Sequence, residues 1–311
     1  MAIYLTLDGG TTNTRISLVR EGRVCDTVRF PIGARASIDS TEPLTEAIRD
    51  GISTLLERNA LQPSDVLRVI ASGMITCEHG LCPLEHIPLP AGVAELNATA
   101  KEVLLPGITP IPFLFIRGLR QKGDDYLSTD LIRGEETELA GLWREDTELY
   151  LLPGSHSKAI RTDREGRVIS FSTFLTGEML AALSQGTILK SSVTLRDQSP
   201  DKEFLLMGYD CCHTLGINRA LFKVRILDTQ YATAPEKLYS FFLGAVLASE
   251  IDAILEQDFD GIAIGGRLAL REAYRVLLSQ RGNKRVTLFS ETEVDESTAL
   301  GAVRIAEFAK N

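Results

Sequence analysis

Short apolar runs separated by glycine-containing turns open the chain and predict β-strands. The first two runs, 3–7 and 16–19, flank the turn "DGGTTNTR", and a third run follows at 23–32. This pattern predicts three successive strands before the first helix. Four later apolar runs predict further strands, at 66–74, 108–116, 261–266 and 286–290.

Apolar residues at helical spacing predict helices between these strands. The clearest case is 43–60, where Leu44, Ile48, Ile52 and Leu55 recur on one helical face. We predict further helices at 129–143, 177–190, 234–257, 268–280 and 295–310. Segments rich in proline, glycine or polar residues predict a loop at 78–92 and a linker at 191–203.

The two halves of the chain share one pattern of turns. The two segments are "LDGGTTNTRISLVREGRV" at 7–24 and "LPGSHSKAIRTDREGRV" at 152–168. Their shared "REGRV" begins at Arg20 and at Arg164, an offset of 164 − 20 = 144 residues. The same offset pairs Gly10 with Gly154 and Thr11 with Ser155. A charged glycine hairpin is common by itself. Since both turns fall in the same register, we predict two lobes built alike.

Composition narrows the class of protein. The chain has 311 residues, 44% of them apolar and 24% charged, which is typical of one large or two ordinary globular domains. The net charge of −9 argues against nucleic acid and anionic membranes as partners. No leader-like segment opens the chain, and Glu250 and Asp252 interrupt the longest apolar stretch. We therefore expect a cytoplasmic protein.

The five cysteines fit a reducing compartment. Cys77, His79, Cys82 and His86 could supply four zinc ligands, but their spacing is not that of a zinc finger or ribbon, and Pro83 interrupts them. A loop that happens to hold these side chains is the favoured interpretation. The same interpretation, without a metal, applies to the Cys-Cys-His sequence at 211–213, because adjacent cysteines rarely bind one ion together.

A tight glycine and threonine turn is suited to binding phosphate. Glycine allows close approach of the backbone, successive N–H groups bind an anion, and threonine hydroxyls add donors. Asp8, at the end of the first strand, could hold a hydrated Mg²⁺ beside the same phosphates. The glycines of "IAIGG", Gly265 and Gly266, would let a nucleoside lie against the backbone. An ordinary hairpin turn is the alternative for each motif.

Taken together, these motifs resemble one superfold. "DGGTT", "LPGSHSK" and "IAIGG" look like the two phosphate segments and the adenosine segment of the sugar kinase/actin/heat-shock ATPase superfold. "IRGEET", "LPGSHSK", "FSTFLTGEML" and "GAVLASEI" resemble the 2-dehydro-3-deoxygalactonokinase family, from residue 8 to about 301.

The resemblance implies an α/β, ribonuclease H-like fold of two lobes, 1–142 and 143–295, with the active site in the interlobe cleft. Each lobe would hold a mixed five-stranded sheet flanked by helices. A C-terminal helix at about 296–311 would pack on the first lobe.

The resemblance also implies ATP- and Mg²⁺-dependent phosphorylation of the terminal hydroxyl of a keto-deoxy sugar acid, 2-dehydro-3-deoxy-D-galactonate, to its 6-phosphate. A kinase for another aldonate or a hexose, or an ATP-binding regulator without catalysis, is the alternative, and homodimer formation is left open. The expected phosphate and nucleoside contacts are Gly10, Thr11, Thr12, Asn13, Gly154, Ser155, His156, Lys158, Gly265 and Gly266. Asp8 is the expected metal ligand.

A carboxylate suffices as the base in phosphoryl transfer, and the resemblance to the superfold implies that it lies shortly before the second phosphate turn. Glu136 is favoured slightly over Glu135, because the Glu-Thr pair resembles the acid-Thr pattern of hexose kinases, and Asp130 is a weaker third candidate. An anionic substrate favours arginine as a ligand. The expected substrate contacts are Arg15, Ser72, Gly73, Met74, Arg117, Arg133 and Glu178.

The sequence departs from the family pattern around the sugar. Gly9 replaces a common tryptophan, Leu81 an aromatic residue, Arg117 a proline and Ala159 a tryptophan. The phosphate motifs are kept, so the departures affect the identity of the sugar acid more than the kinase chemistry.

Overall fold

The computed structural model describes residues 2–37 and 40–308 of the 311-residue chain. Within these ranges the strands are β1 (Ile3–Gly9), β2 (Thr14–Arg20), β3 (Arg23–Phe30), β4 (Arg68–Gly73), β5 (Ile87–Pro88), β6 (Lys101–Val103), β7 (Phe113–Phe115), β8 (Leu119–Gln121), β9 (Asp130–Ile132), β10 (Leu149–Leu152), β11 (Ser157–Thr162), β12 (Val168–Phe174), β13 (Gly261–Ile264) and β14 (Arg285–Leu288). The α-helices are α1 (Glu42–Arg58), α2 (Val93–Thr99), α3 (Glu135–Leu142), α4 (Thr176–Gly186), α5 (Lys202–Leu215), α6 (Ile217–Tyr231), α7 (Pro235–Leu255), α8 (Leu268–Arg281) and α9 (Glu291–Ala306).

The chain forms two compact units. The first contains residues 2–146, 162–171 and 292–308, and the second contains 147–161 and 172–291. The segment 162–171, which the sequence assigned to the second lobe, therefore belongs to the first unit, because its hairpin packs there through the bridge between Ala91 and Val168. Helix α9 begins at Glu291, earlier than predicted. Residues 1, 38, 39 and 309–311 of the predicted lobes lie outside the described residues.

The first unit is built on a mixed sheet with the strand order β3-β2-β1-β4-β7-β6. Strands β1, β4 and β7 run parallel, so their carboxyl ends meet at one edge of the sheet. The sheet has six strands instead of the expected five, because Lys101–Val103 pairs antiparallel with β7 at the edge. The parallel register places Asp8 beside Ser72, and Gly9 beside Gly73.

Helix α1 covers one face of this sheet. Its residues Leu44, Ile48, Ile52 and Leu55 are buried with the apolar side chains of β1, β2 and β4. Burial of each such side chain contributes about 1.5–3 kcal/mol, so this face makes a large contribution to the stability of the unit. The predicted helix and its core face are confirmed.

The predictions for the segment 78–143 were partly wrong. A small sheet with the order β5-β8-β9 lies in this region, including part of the predicted loop 78–92. The predicted helix 129–143 begins with strand β9, and the helix itself starts only at Glu135. Gly134, with a φ of 111°, separates the two elements because this backbone conformation favours glycine.

The second unit contains the five-stranded sheet β12-β11-β10-β13-β14, in which β10, β13 and β14 are parallel. Helix α7 has a mean hydropathy of 1.6, enough to cross a membrane by composition, yet 78% of its most apolar window is buried in the protein. It is the core helix of this unit, in contact with α5, α6 and α8. Helices α5 and α6 were not predicted from the sequence.

A polar cluster joins α5 to α7 on the outside of this core. The Tyr209 hydroxyl donates to Asp252 Oδ1 at 2.5 Å, and the ring nitrogen Nε2 of His213 lies 2.8 Å from Asp252 Oδ2. The other ring nitrogen, Nδ1, lies 2.9 Å from the carbonyl oxygen of Tyr209. Because both neighbours are acceptors, the geometry favours the doubly protonated imidazolium, and the hydrogen bonds raise the pKa of His213.

Candidate active site

The first predicted phosphate turn connects β1 to β2. The Gly10 N–H donates to the Asn13 carbonyl at 2.8 Å, and a Cβ on Gly10 would lie only 2.8 Å from that oxygen, so the turn requires glycine. Thr11, Thr12 and Asn13 are exposed, and the Asn13 amide donates to the Thr12 hydroxyl at 2.9 Å. The turn therefore presents polar side chains to solvent, as phosphate binding requires.

A segment after β3 supports this turn and was not found by sequence reasoning. The N–H groups of Ala34 and Arg35 donate to the carbonyls of Gly10 and Thr11 at 3.1 and 3.0 Å. Gly33 lies against the same turn, where a Cβ would be 2.5 Å from the Gly10 oxygen. These bonds hold the carbonyl oxygens of the turn in place.

Asp8 lies at the carboxyl end of β1, next to Arg15. The Arg15 guanidinium is 3.0 Å from Asp8 Oδ2 and also donates to the carbonyl of Asp295 in α9 at 2.7 Å. The Asp8 side chain is 34% exposed. Arg15, predicted to contact substrate, thus contacts Asp8 directly.

The Asp8 carboxylate fits a weakly held Mg²⁺. Within residues 2–37 and 40–308, no group of three or more His, Cys, Asp or Glu side chains could hold a metal ion. Mg²⁺ commonly binds one or two carboxylates and completes its octahedron with water and phosphate oxygens. Asp8, a partly exposed carboxylate beside the predicted phosphate turn, could supply the carboxylate of such a site in place of its contact with Arg15.

Two glycines bring the start of α3 against the end of β4. Gly73 has a φ of 80°, and a Cβ there would lie 2.6 Å from the Gly9 oxygen and 3.6 Å from Asp8 Oδ1. A Cβ on Gly134 would lie 3.2 Å from the Cα of Gly73. Since both positions lack side chains, Asp8 and the first turn of α3 lie close to one another around Gly73.

Glu136 is the buried acid at this point, with only 2% of the residue exposed. Its two carboxylate oxygens accept from the Gly134 N–H at 2.9 and 2.8 Å, and one also accepts from the Thr137 hydroxyl at 3.1 Å. Burial, and then the charge of Glu135, raise the pKa of Glu136 to about 7, although these hydrogen bonds act in the opposite direction. A carboxylate with a pKa near 7 is suited to general base catalysis.

The other two candidate bases have different surroundings. Glu135 is half-buried and accepts a hydrogen bond from the Arg133 N–H at 3.0 Å. Asp130 lies in the small sheet, in register with Gln121, and accepts from the Leu131 N–H at 2.7 Å. Glu136 is the candidate whose carboxylate accepts from the Gly134 N–H, and Gly134 itself lies against Gly73.

The position of α3 depends on close contact with α9. A Cβ on Gly141 would lie 2.0 Å from the Ser297 carbonyl oxygen, and one on Gly301 would lie 1.9 Å from that of Thr137. The two helices therefore meet backbone to backbone. A cavity of about 390 Å³ lies beside α3, and Glu136 is one of its lining residues. Sequence reasoning did not find this crossing, although the glycines in both helices are its signal.

The predicted substrate arginines hold the loop after β4. The Arg133 guanidinium donates to the Thr76 carbonyl at 2.8 Å and to the Leu84 carbonyl at 3.0 Å, and lies 3.2 Å from His86 Nδ1. Arg117 donates to the carbonyls of Thr99 and Glu85 at 2.9 and 3.1 Å. These contacts show that both side chains shape the loop.

His86 belongs to this arginine cluster. Burial lowers the pKa of His86 to about 4, and the charges of Arg133 and Arg120 add to the effect. The ring is therefore neutral at pH 7 and can accept from Arg133. Cys77, His79, Cys82 and His86, which were considered as zinc ligands and interpreted as part of a loop, do not form a group that could hold a metal ion among the described residues.

The second predicted phosphate turn, between β10 and β11, is supported by the start of α4. The Gly177 N–H lies 3.2 Å from the Gly154 carbonyl and 3.0 Å from the Ser155 carbonyl, which also accepts from the Glu178 N–H at 3.2 Å. His156 Nε2 lies 3.2 Å from Glu178 Oε1. Glu178, expected to contact the sugar, therefore contacts this turn.

Lys158 and the two glycines after β13 also adjoin this turn. Lys158 is 3% exposed, and its ammonium donates to the His156 carbonyl at 2.9 Å. The Gly265 N–H donates to the Leu151 carbonyl at 2.9 Å, and a Cβ on Gly266 would lie 2.9 Å from Pro153 Cδ. The predicted nucleoside segment and the predicted phosphate turn thus meet within the second unit.

These features define a class. Paired glycine-hydroxyl turns on two similar sheets, an acid at the end of the first strand and a buried acid opening α3 are those of a carbohydrate kinase with the two-lobed, actin-like ATPase fold. The model of the 2-keto-3-deoxy-galactonokinase family matches residues 8–304. The chain belongs to this family, and it is a kinase that acts on a sugar acid.

Known proteins agree with this assignment. "Probable 2-dehydro-3-deoxygalactonokinase DgoK1" of Rhizobium meliloti (strain 1021) is 28% identical over 299 residues, which cover 90% of each chain. A crystal structure from Sinorhizobium meliloti, provisionally described as a 2-dehydro-3-deoxygalactonokinase protein, has a TM-score of 0.78 and 25% identity, and covers 99% of this chain and 98% of its own. The fold is shared with the ADPNP-bound activator of 2-hydroxyisocaproyl-CoA dehydratase from Clostridium difficile, at a TM-score of 0.54 and 13% identity. That match covers 98% of this chain and 94% of the activator.

Proposed function

We propose that the protein transfers the γ-phosphoryl group of ATP to the terminal hydroxyl of 2-dehydro-3-deoxy-D-galactonate, with Glu136 as the base. The observation that carries this proposal is the buried Glu136 carboxylate at the start of α3, which accepts from the N–H of Gly134, the residue that packs α3 against Gly73. Burying a carboxylate costs free energy, and an acid with only a structural role would not repay that cost. At a phosphoryl-transfer site, the same burial gives a base that titrates near neutral pH.

In the proposed reaction, the hydroxyl oxygen of the sugar forms a bond to the γ-phosphorus as its proton passes to Glu136. The bond from the γ-phosphorus to the β–γ bridging oxygen breaks, and ADP leaves with that electron pair. Gly134 and Thr137 occupy part of the acceptor capacity of Glu136, and a carboxylate has about four acceptor positions. The remaining capacity is what the substrate proton requires.

We propose that the two turns hold the phosphates of ATP and that Asp8 holds Mg²⁺ through water. Gly10, Thr11, Thr12 and Asn13 would bind from the first turn, and Gly154, Ser155, His156 and Lys158 from the second. Mg²⁺, when bound, would neutralise the charge that develops on the phosphate oxygens. Gly265 and Gly266 would accept the adenosine.

The arginine cluster supports an acidic sugar over a neutral one. Arg117, Arg120 and Arg133 lie around the loop that follows β4, and both Arg120 and Arg133 lower the pKa of His86 through their charge. This positive region attracts a carboxylate substrate, although the donors of Arg133 are largely engaged by the loop. We propose that it favours binding of the sugar acid, and that the enzyme works in the cytoplasm, where its five free cysteines stay reduced.

The test is ADP release with Mg-ATP and a panel of acceptors: 2-dehydro-3-deoxy-D-galactonate, its gluconate epimer, other aldonates and neutral hexoses. We expect turnover on the galactonate compound, with kcat reduced about 10²–10⁴-fold in Glu136→Gln and much less in Glu135→Gln. Turnover only on another acceptor would reject the proposed substrate. ATP binding without turnover on any acceptor would favour a regulator.

A further inference from the structure

Glu250, near the end of α7, is a buried acid that lies outside the chemistry described so far. The residue is 5% exposed and accepts a hydrogen bond from the Thr176 hydroxyl at 2.8 Å on Oε2. The Tyr274 hydroxyl of α8 contacts Oε1. Burial raises the pKa of Glu250 to about 7, while these two hydrogen bonds lower it.

The same tyrosine connects Glu250 to the second phosphate turn. The Tyr274 hydroxyl oxygen lies 3.1 Å from Ser157 Oγ, and the Gly154 N–H lies 3.5 Å from the same Oγ. A phenol has one proton, and a carboxylate is the stronger acceptor, so Tyr274 donates to Glu250 and accepts from Ser157. The resulting chain of donors runs from the turn, through Ser157 and Tyr274, to the carboxylate.

Thr176 connects the carboxylate to the other support of the turn. It is the first residue of α4, and the next two N–H groups, of Gly177 and Glu178, hold the carbonyls of Gly154 and Ser155. The carboxylate therefore contacts Thr176, in the first turn of α4, directly, and it reaches Ser157, which follows the turn directly in the chain, through Tyr274.

We propose that Glu250, acting through Tyr274 and Thr176, is a positioning residue that holds the second phosphate turn in its nucleotide-binding shape. This inference rests on the proposed function, since it takes the turn to bind the phosphates of ATP. An apolar side chain could fill the same space without the cost of burying an acid. The hydrogen bonds to Thr176 and to Tyr274, which itself contacts Ser157, give the acid a role that an apolar side chain cannot perform.

The experiment compares the affinity for ADP by calorimetry, and KM and kcat with ATP and the sugar acid, for four variants and the unmodified protein. Tyr274→Phe and Ser157→Ala each break the chain at one point. We expect each to weaken ADP binding and to raise the KM for ATP about fivefold to tenfold, the equivalent of one buried hydrogen bond or slightly more. The kcat and the KM for the sugar acid should change less than about twofold, because the acceptor side is untouched.

Glu250→Gln provides the conservative variant. Its amide oxygen can accept from Tyr274 and its amide nitrogen can donate to the Thr176 hydroxyl, so ADP affinity should stay within about threefold of the unmodified protein. Tyr209→Phe is the matched control, because it removes another tyrosine-carboxylate hydrogen bond from the same unit, to Asp252. It should leave ADP affinity unchanged.

The outcomes separate this inference from the function on which it rests. If the unmodified protein binds ADP and turns over, but Tyr274→Phe and Ser157→Ala bind ADP normally, the positioning role is wrong and the proposed function stands. The role is also rejected if Tyr274→Phe and Ser157→Ala impair kcat and the KM for the sugar acid as much as the KM for ATP, and Tyr209→Phe does the same. That result would show general destabilisation. If the unmodified protein binds no nucleotide, the proposed function itself fails.

Discussion

The raised pKa of Glu136, the proposed catalytic base, predicts an unusual dependence of the rate on pH. An ordinary glutamate has a pKa of about 4.5, so roughly three quarters of it is ionised at pH 5 and nearly all at pH 8. With the pKa raised to about 7, about 1% is ionised at pH 5 and about 90% at pH 8. Because only the ionised form accepts the substrate proton, kcat/KM should fall about 90-fold from pH 8 to pH 5.

The assay is the initial rate of ADP release across this pH range, at low concentrations of the sugar acid. Glu135→Gln provides the internal test, because the charge of Glu135 is the second cause of the shift. Its removal should move the acidic limb of the profile to lower pH while leaving the plateau rate within a few-fold. An acidic limb below about pH 5 in the unmodified enzyme, or an identical limb in Glu135→Gln, would refute the assignment of Glu136 as the titrating base.

Three further predictions concern other parts of the chain. Asp8→Asn should lower kcat about 10–100-fold and raise the Mg²⁺ concentration for half-maximal rate; an unchanged Mg²⁺ dependence would remove Asp8 from the metal site. Gly301→Ala should lower the free energy of unfolding, measured in urea, by about 1–3 kcal/mol, because its Cβ would lie 1.9 Å from the Thr137 oxygen. This loss should outweigh the helix preference for alanine. Gly186→Ala, with open space around it, is the control and should not destabilise the protein. The raised pKa of His213 means that the imidazolium stabilises the fold fully below about pH 6.5, and that this stability is lost as pH rises through the folded pKa. His213→Gln should therefore lower the urea midpoint at pH 6 and have little effect at pH 9. Equal effects at both pH values would contradict the imidazolium.

The sequence predicted those parts of the site that depend on local patterns. Strands β1, β2 and β13 and the turns that follow them were predicted because an apolar run and a glycine-rich turn are adjacent in the chain. The segment Gly33–Arg35 was not predicted as a site element, since its role depends on a backbone contact with Gly10 and Thr11. The network of Glu250 was missed for the same reason: its partners Thr176, Ser157 and Tyr274 come from separate elements.

The choice between the two neighbouring glutamates illustrates this limit. Glu135 and Glu136 are chemically alike in the sequence, and a helix start favours an acid at either position. The structure separates them because Glu136 is buried against Gly134 while Glu135 is half-buried. Burial depends on how α3 packs on α9 through Gly141 and Gly301, a contact between segments far apart in the chain.

The two turns proposed to bind phosphate are supported by different elements. In the first turn, the carbonyls of Gly10 and Thr11 accept from N–H groups of the segment after β3, and in the second, the carbonyls of Gly154 and Ser155 accept from N–H groups at the start of α4. In both cases the carbonyl oxygens, which repel an anion, are held by neighbouring donors. The sequence repeat therefore covers the turns themselves and ends where the supports begin, because each unit supplies these donors from a different element.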